Sequence, residues 1–133
     1  MGGLAVAIER DAERCALIQK NAIRLGVPTL AVEQKSIEEA LTFADSLPRP
    51  DAIFIGGGIT IDGLLDTCWD LLPRHGRLVA NTVTLEGEEK LLRFYNKNGG
   101  SLTRLTVSRL VPRGGFKGWS NLAPVTHYLG VKA

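Results

Sequence analysis

Cysteine is scarce in this chain, two residues in 133, and so is histidine, also two. Two cysteines cannot build a disulfide framework, and Cys15 and Cys68 both fall on the apolar faces of predicted helices, where free thiols pack as small hydrophobes. With two histidines and no paired cysteines, no metal site is expected. Charge of one sign is lacking too. The net charge is +2 and the basic residues are dispersed, so the chain has no electrostatic footprint for nucleic acid. No apolar run exceeds six residues, far short of a membrane span, and no basic-then-apolar leader pattern opens the sequence. A cytoplasmic protein is the expectation. Repeats, low-complexity tracts and linkers are missing as well, which leaves one domain over 1–133 with 44% apolar residues to form its core.

What is present alternates strand and helix. "LAVAIERD" (4–11) is an apolar strand ending in Glu9, with Asp11 placed to cap a helix that runs to Leu25 and stops at Gly26 and Pro28. "TLAVE" (29–33) reads as a short strand. "SIEE" (36–39) is a capping box opening a helix to about Ser46. "DAIFI" (51–55) is apolar after its first residue and predicts a strand buried on both faces. Leu64, Leu65, Cys68, Trp69, Leu71 and Leu72 mark a third helix ended by Pro73. "GRLVANTVT" (76–84) predicts a strand, and Leu91, Leu92 and Tyr95 a fourth helix closed by Gly99 and Gly100. "SLTRLTVSRL" (101–110) and "PVTHYLGVKA" (124–133) then alternate with no helix between them, as antiparallel partners do. The count is six strands: four βα units and a closing hairpin. That ending sets the chain apart from nicotinamide-binding domains, which continue with parallel strands, and fits methyltransferase sheets.

Four stretches carry a closer resemblance: "AIERD" with its helix, "DAIFIGGG" (51–58), "GRLVANTVTLE" (76–86) and "GGFKGWSNLAPVT" (114–126). In this order and spacing they resemble the precorrin-6Y methyltransferase (decarboxylating) family of corrin biosynthesis. The likeness is to its domain that methylates carbon 15 and decarboxylates an acetate at carbon 12. The resemblance implies an α/β, Rossmann-like class I sheet with S-adenosyl-L-methionine as cofactor and a precorrin, a tetrapyrrole, as substrate. Family members open with a further strand and a G-x-G-x-G turn. Neither stands ahead of "LAVAIERD", where only Met1, Gly2 and Gly3 are found. The expectation is therefore a methyltransferase domain truncated at its N-terminus, with a gap in the sheet, prone to self-association as a homo-oligomer. The alternative is a catalytically incompetent remnant acting as an assembly or partner-binding module.

The candidate site residues each have a plainer explanation beside the functional one. Glu9, at a strand end, would accept hydrogen bonds from both ribose hydroxyls, or would simply sit near a helix start. Arg10 would line the adenine side or be a surface charge. Ser36 and Ile37 follow the next strand, where the resemblance implies adenine contact, although a helix cap alone explains Ser36. Gly56, Gly57 and Gly58 lie past the buried strand, where glycine lets a ligand approach the backbone. They are followed by Ile59, Thr60 and Ile61, not by the Lys-Ser or Lys-Thr of a phosphate loop. Asn81, Thr82, Thr84 and Glu86 cluster at the next strand end as candidates for the macrocycle or its carboxylates, or as organisers of the helix start. "RGGFKGW" (113–119) reads as a flexible flap. Arg113 and Lys117 would pair carboxylates there and Trp119 would stack, unless the loop is an oligomer contact. His127 shares a strand face with Val125, Leu129 and Val131 and reads as packed. Methyl transfer depends on positioning more than on a strong base, and no catalytic acid or base is assigned.

Overall fold

The computed structural model describes residues 3–133. The chain gathers into two compact units, Met1–Pro48 and Arg49–Ala133. In the first, β1 (Val6–Glu9) and β2 (Ala31–Gln34) run parallel, connected by α1 (Ala12–Arg24). Asp11 caps α1 by accepting from the Arg14 N–H at 2.9 Å, and Cys15 and Ala22 form its buried stripe. Gly26, at φ 77°, takes the chain out of the helix, a conformation that glycine adopts freely. A second helix, α2 (Ile37–Phe43), passes into a 3₁₀ turn over Ala44–Ser46. Its capping box is complete: Ser36 Oγ accepts from the Glu39 N–H at 3.2 Å, and Glu39 Oε2 accepts from the Ser36 N–H at 2.7 Å.

The second unit holds β3 (Ala52–Ile55), α3 (Leu64–Leu71), β4 (Arg77–Thr82), α4 (Leu85–Asn98), β5 (Ser101–Leu105), β6 (Ser108–Arg113), β7 (Phe116–Asn121) and β8 (Val125–Val131). Four of these strands form one sheet in the order β3-β4-β8-β5. Its β3–β4 pair is parallel and β8 is antiparallel to both neighbours. Strand alternation decides the core. Leu78 and Ala80 of β4 and Tyr128 of β8 are fully buried with Leu91 of α4, and Leu64, Leu65, Cys68 and Leu72 join them from the α3 region. The Phe94 ring stands edge-on to Tyr128 at 5.4 Å and to Trp69 at 5.6 Å. The Tyr128 hydroxyl donates to the Gly99 carbonyl at 3.0 Å, so its one polar atom is satisfied.

Three expectations change. The alternating run at 101–110 is not one strand: it breaks after Leu105 and resumes at Ser108, giving β5 and β6. Residues 113–119 belong to an ordered ribbon, β6–β7, turned at Gly114 and Gly115 with Gly114 at φ 62°. A two-residue Gly-Gly turn is a strong hairpin signal, and reading the segment as a flap passed over it. The described strands therefore number eight, not six. Finally, β3 is not buried on both faces. Ile55, on the sheet side of Leu78 and Ala80, is buried, while Phe54 alternates to the other side and is 64% exposed. The strands form separate sheets, so that among the described residues β1 pairs only with β2, and β3 only with β4. No helix among the described residues is long and apolar enough to cross a membrane.

Candidate functional site

In the first unit, Glu9 ends β1 opposite Gln34 of β2, placing its carboxylate at the carboxyl edge where α/β sheets bind ligands. The carboxylate is already partly engaged. Oε1 accepts from the Asp11 N–H at 2.9 Å, and Oε2 lies 3.9 Å from Arg14 Nη1. These contacts fix its direction yet leave lone pairs on both oxygens. The same edge carries Arg10, whose carbonyl accepts from Gln34 Nε2 at 3.4 Å, and Ser36 with Ile37 at the start of α2. Ser36 spends its hydroxyl on the capping box, as its plainer reading has it. Cys15 donates its thiol to the Glu9 carbonyl at 3.2 Å. Burial first, then the neighbouring charges of Glu9 and Asp11, raise its pKa and keep it a thiol.

The second unit has a cleft of about 490 Å³ at the carboxyl ends of β3 and β4. It brings together Gly56, Gly57 and Gly58 with Asn81, Thr82, Thr84 and Glu86. That volume suits a small-molecule ligand or one end of a larger one. Gly58 sits at φ 75°, which explains one glycine by backbone conformation. A Cβ at Gly57 would meet nothing within 4 Å, so that stretch is open to a ligand. Thr84 caps α4 by accepting from the Gly87 N–H at 3.1 Å, and its own N–H donates to Thr82 Oγ1 at 3.3 Å. Glu86, exposed in the first turn of α4, is the one ionisable group lining this cleft among the described residues.

The ribbon sorts its candidates by face. Lys117 and Trp119 alternate onto one side, Trp119 opposite Leu110 and 67% exposed. Arg113 lies on the other side, opposite Phe116, and donates from Nη2 to the Trp119 carbonyl at 3.2 Å. Its stem covers Gly118, where a Cβ would stand 2.8 Å from Arg113 Cδ. Arg113 thus braces the ribbon from the face opposite Lys117 and Trp119.

Sequence reasoning missed three features. His127 is not merely packed: its Nδ1 lies 2.7 Å from Asn81 Oδ1. Gly87 is where α4 presses on the cleft wall, and a Cβ there would run into Thr82 and Ile59. Glu88 ties α4 to the sheet, accepting from Thr126 Oγ1 at 2.9 Å and pairing with Arg104. Register would have found the first, because Asn81 and His127 sit on adjacent strands, but only once β4 and β8 were known to be neighbours.

The family model for a precorrin methyltransferase domain matches residues 1–132. A precorrin-6Y C(5,15)-methyltransferase [decarboxylating] from a Sinorhizobium species is 44% identical over 128 residues, covering 96% of this chain and 30% of that protein. The chain thus spans under a third of the length of that relative. The crystal structure of the C-terminal domain of precorrin-6Y C5,15-methyltransferase from Rhodobacter capsulatus matches with a TM-score of 0.85 at 38% identity, covering 98% of this chain and 70% of that one. An O-methyltransferase from Bacillus cereus, solved in complex with SAH, shares the fold at a TM-score of 0.62 and 15% identity, over 96% of this chain and 63% of its own.

Proposed function

Because the chain belongs to the precorrin methyltransferase domain family, we propose that it takes part in S-adenosyl-L-methionine-dependent C-methylation of a precorrin, coupled to loss of carbon dioxide from an acetate side chain. The observation that carries the cofactor half is Glu9. A strand-end carboxylate, held by the Asp11 N–H with lone pairs to spare, fits a pair of ribose hydroxyls. When bound, the cofactor supplies an electrophilic methyl group that passes to a ring carbon in an in-line displacement, the electron pair of the broken bond staying on sulfur. The chain's own part is positioning. In the first unit we assign ribose to Glu9 and adenine contacts to Arg10, Ser36 and Ile37; in the second, Gly56, Gly57 and Gly58 are assigned to close backbone approach by a ligand in their own cleft. Asn81, Thr84 and Glu86 are assigned to the macrocycle at its reacting edge. The cleft they share offers donor and acceptor groups to orient a ligand, which is what a reaction governed by orientation asks for.

Lys117 and Trp119, exposed together on one face of the β6–β7 ribbon, are assigned to a carboxylate and to the flat ring of the substrate. A second reading is favoured by the apolar exposure on both faces of that ribbon, Phe116 at 84% as well as Trp119. In it the ribbon joins copies of the chain into a homo-oligomer. Calorimetric titration with S-adenosylhomocysteine tests the cofactor assignment. Saturable binding that weakens by about 2–4 kcal/mol in Glu9→Ala is expected from the loss of two charge-assisted hydrogen bonds. Equal affinity in the variant would overturn the ribose role. Light scattering on Trp119→Ala separates the two readings of the ribbon: an unchanged mass with impaired turnover supports substrate contact, and a smaller mass supports the oligomer.

A further inference from the structure

We propose that His127 is a positioning residue that fixes the side-chain amide of Asn81, so that the cleft meets a hydrogen-bond donor there and selects an oxygen acceptor of the substrate. The inference deepens the reading above and rests on it for the identity of that substrate. An asparagine amide is nearly symmetric in shape, and a half-turn exchanges its acceptor for its donor. Something must break that symmetry if Asn81 is to read a ligand. Asn81 and His127 are register partners on the antiparallel β4–β8 pair, both half-buried, and Asn81 also lines the cleft. Their contact joins His127 Nδ1 to Asn81 Oδ1 at 2.7 Å, and an oxygen at that distance requires a hydrogen on Nδ1. The neutral Nδ1–H tautomer and the imidazolium both provide it, so either form of the ring holds the amide the same way. The histidine holds Oδ1 on its own side, which turns Nδ2, with two N–H groups, to the other side of the amide for a ligand.

The strand arrangement supports the assignment. The nearest residues to Asn81 and His127 along β4 and β8 on their side of the sheet, Val79, Leu129 and Val125, cannot hydrogen-bond through their side chains. Arg77, Ser101 and Thr103 are polar residues on the same side, and none of them is the register partner of Asn81. On this side the histidine is therefore the neighbour that orients the amide. A precorrin bears carboxylate side chains, whose oxygens are acceptors only. An amide that presents its N–H groups suits them, and one turned the other way would present its oxygen and repel them.

Substitutions that move or keep the donor test this. Asparagine places a side-chain N–H close to where histidine has Nδ1, whereas glutamine places it near Nε2. The expected result is that His127→Gln and Asn81→Asp each raise KM for the precorrin substrate by about tenfold, the equivalent of one hydrogen bond, with a smaller change in kcat. S-adenosylhomocysteine affinity should stay within about twofold, and His127→Asn should restore KM to within about threefold of the parent. Equal KM for His127→Gln and the parent would overturn the proposal, as would failure of His127→Asn to rescue while the fold is intact. Nitrogen-15 NMR of the histidine ring gives a readout independent of turnover. Nδ1 should be protonated in the parent, with its proton signal lost or shifted in Asn81→Ala. A ring bearing hydrogen only on Nε2 would overturn the inference. Should no precorrin be turned over, the function proposed above fails, and the ring tautomer still decides whether His127 orients Asn81.

Discussion

Replacing Gly87 with alanine sets two physical effects against each other, and the structure decides the sign. Gly87 is the third residue of α4, after the Thr84 cap. Helix propensity alone favours alanine over glycine by up to about 1 kcal/mol. The added Cβ, however, would stand 2.8 Å from Thr82 Cβ and 2.9 Å from Ile59 Cγ2, and closer still to the Thr82 hydroxyl. None of these neighbours is the loose end of a flexible chain. Thr82 is 8% exposed at the end of a central strand, and Ile59 is 5% exposed. The helix start must therefore move outward, and overpacking of this kind costs about 1–3 kcal/mol. The net expectation is a loss of about 1–2 kcal/mol, read as a lower urea midpoint at unchanged slope with tryptophan fluorescence as the probe. Moving the first turn of α4 also shifts Glu86 and Thr84 in the cleft wall, so ligand affinity should fall with stability. A Gly87→Ala protein as stable as the parent, or more so, would mean that α4 does not pack on β4 as closely as described.

Tyr128→Phe should cost about 1–2 kcal/mol in the same denaturation assay, because it leaves the Gly99 carbonyl without its donor while the ring packing against Phe94 survives. The backbone hydrogen bond from Ser36, first, and then its side chain hold the Glu39 carboxyl below its ordinary value of 4.5. A lowered pKa stabilises the fold above the ordinary range, and that stabilisation is lost as pH falls through the lowered value. The stability difference between parent and Glu39→Gln should thus be full near neutrality and shrink in acid; a pH-independent difference would remove the capping box from the account. Burial pushes the Cys68 thiol up to about 11, so Cys68 should resist alkylation at neutral pH until the chain unfolds, and rapid labelling of the folded protein would contradict its place in the core.

Elements with strong local signals were legible in the sequence. Asp11, Ser36 and Thr84 each begin a helix, and the capping box at Ser36 and Glu39 forms as written. The βα order followed from apolar runs and punctuating glycines, and the methyltransferase resemblance from the four stretches that carry it. Segments whose meaning depends on partners were not legible. The run at 101–110 alternates across a break that composition does not mark, since β5 pairs with β8 and β6 with β7. Phe54 looks like core in a run of apolar residues, and only its register with Val79, on the side away from buried Leu78 and Ala80, shows it to be exposed. The candidate site divides in the same way. Gly56, Gly57, Gly58, Asn81, Thr84 and Glu86 were legible as residues at or beyond strand ends, and the cleft gathers them. The link from His127 to Asn81 spans 46 positions and depends on strand order, which no local pattern encodes.

The central claim, carbon methylation of a precorrin with decarboxylation, is tested most directly by incubating the protein with a precorrin and S-adenosyl-L-methionine labelled in its methyl group, then analysing the tetrapyrrole by mass spectrometry and carbon NMR. The account predicts a labelled methyl on a ring carbon and the loss of one carbon dioxide from an acetate side chain. Binding of S-adenosylhomocysteine with no label entering the tetrapyrrole would contradict it.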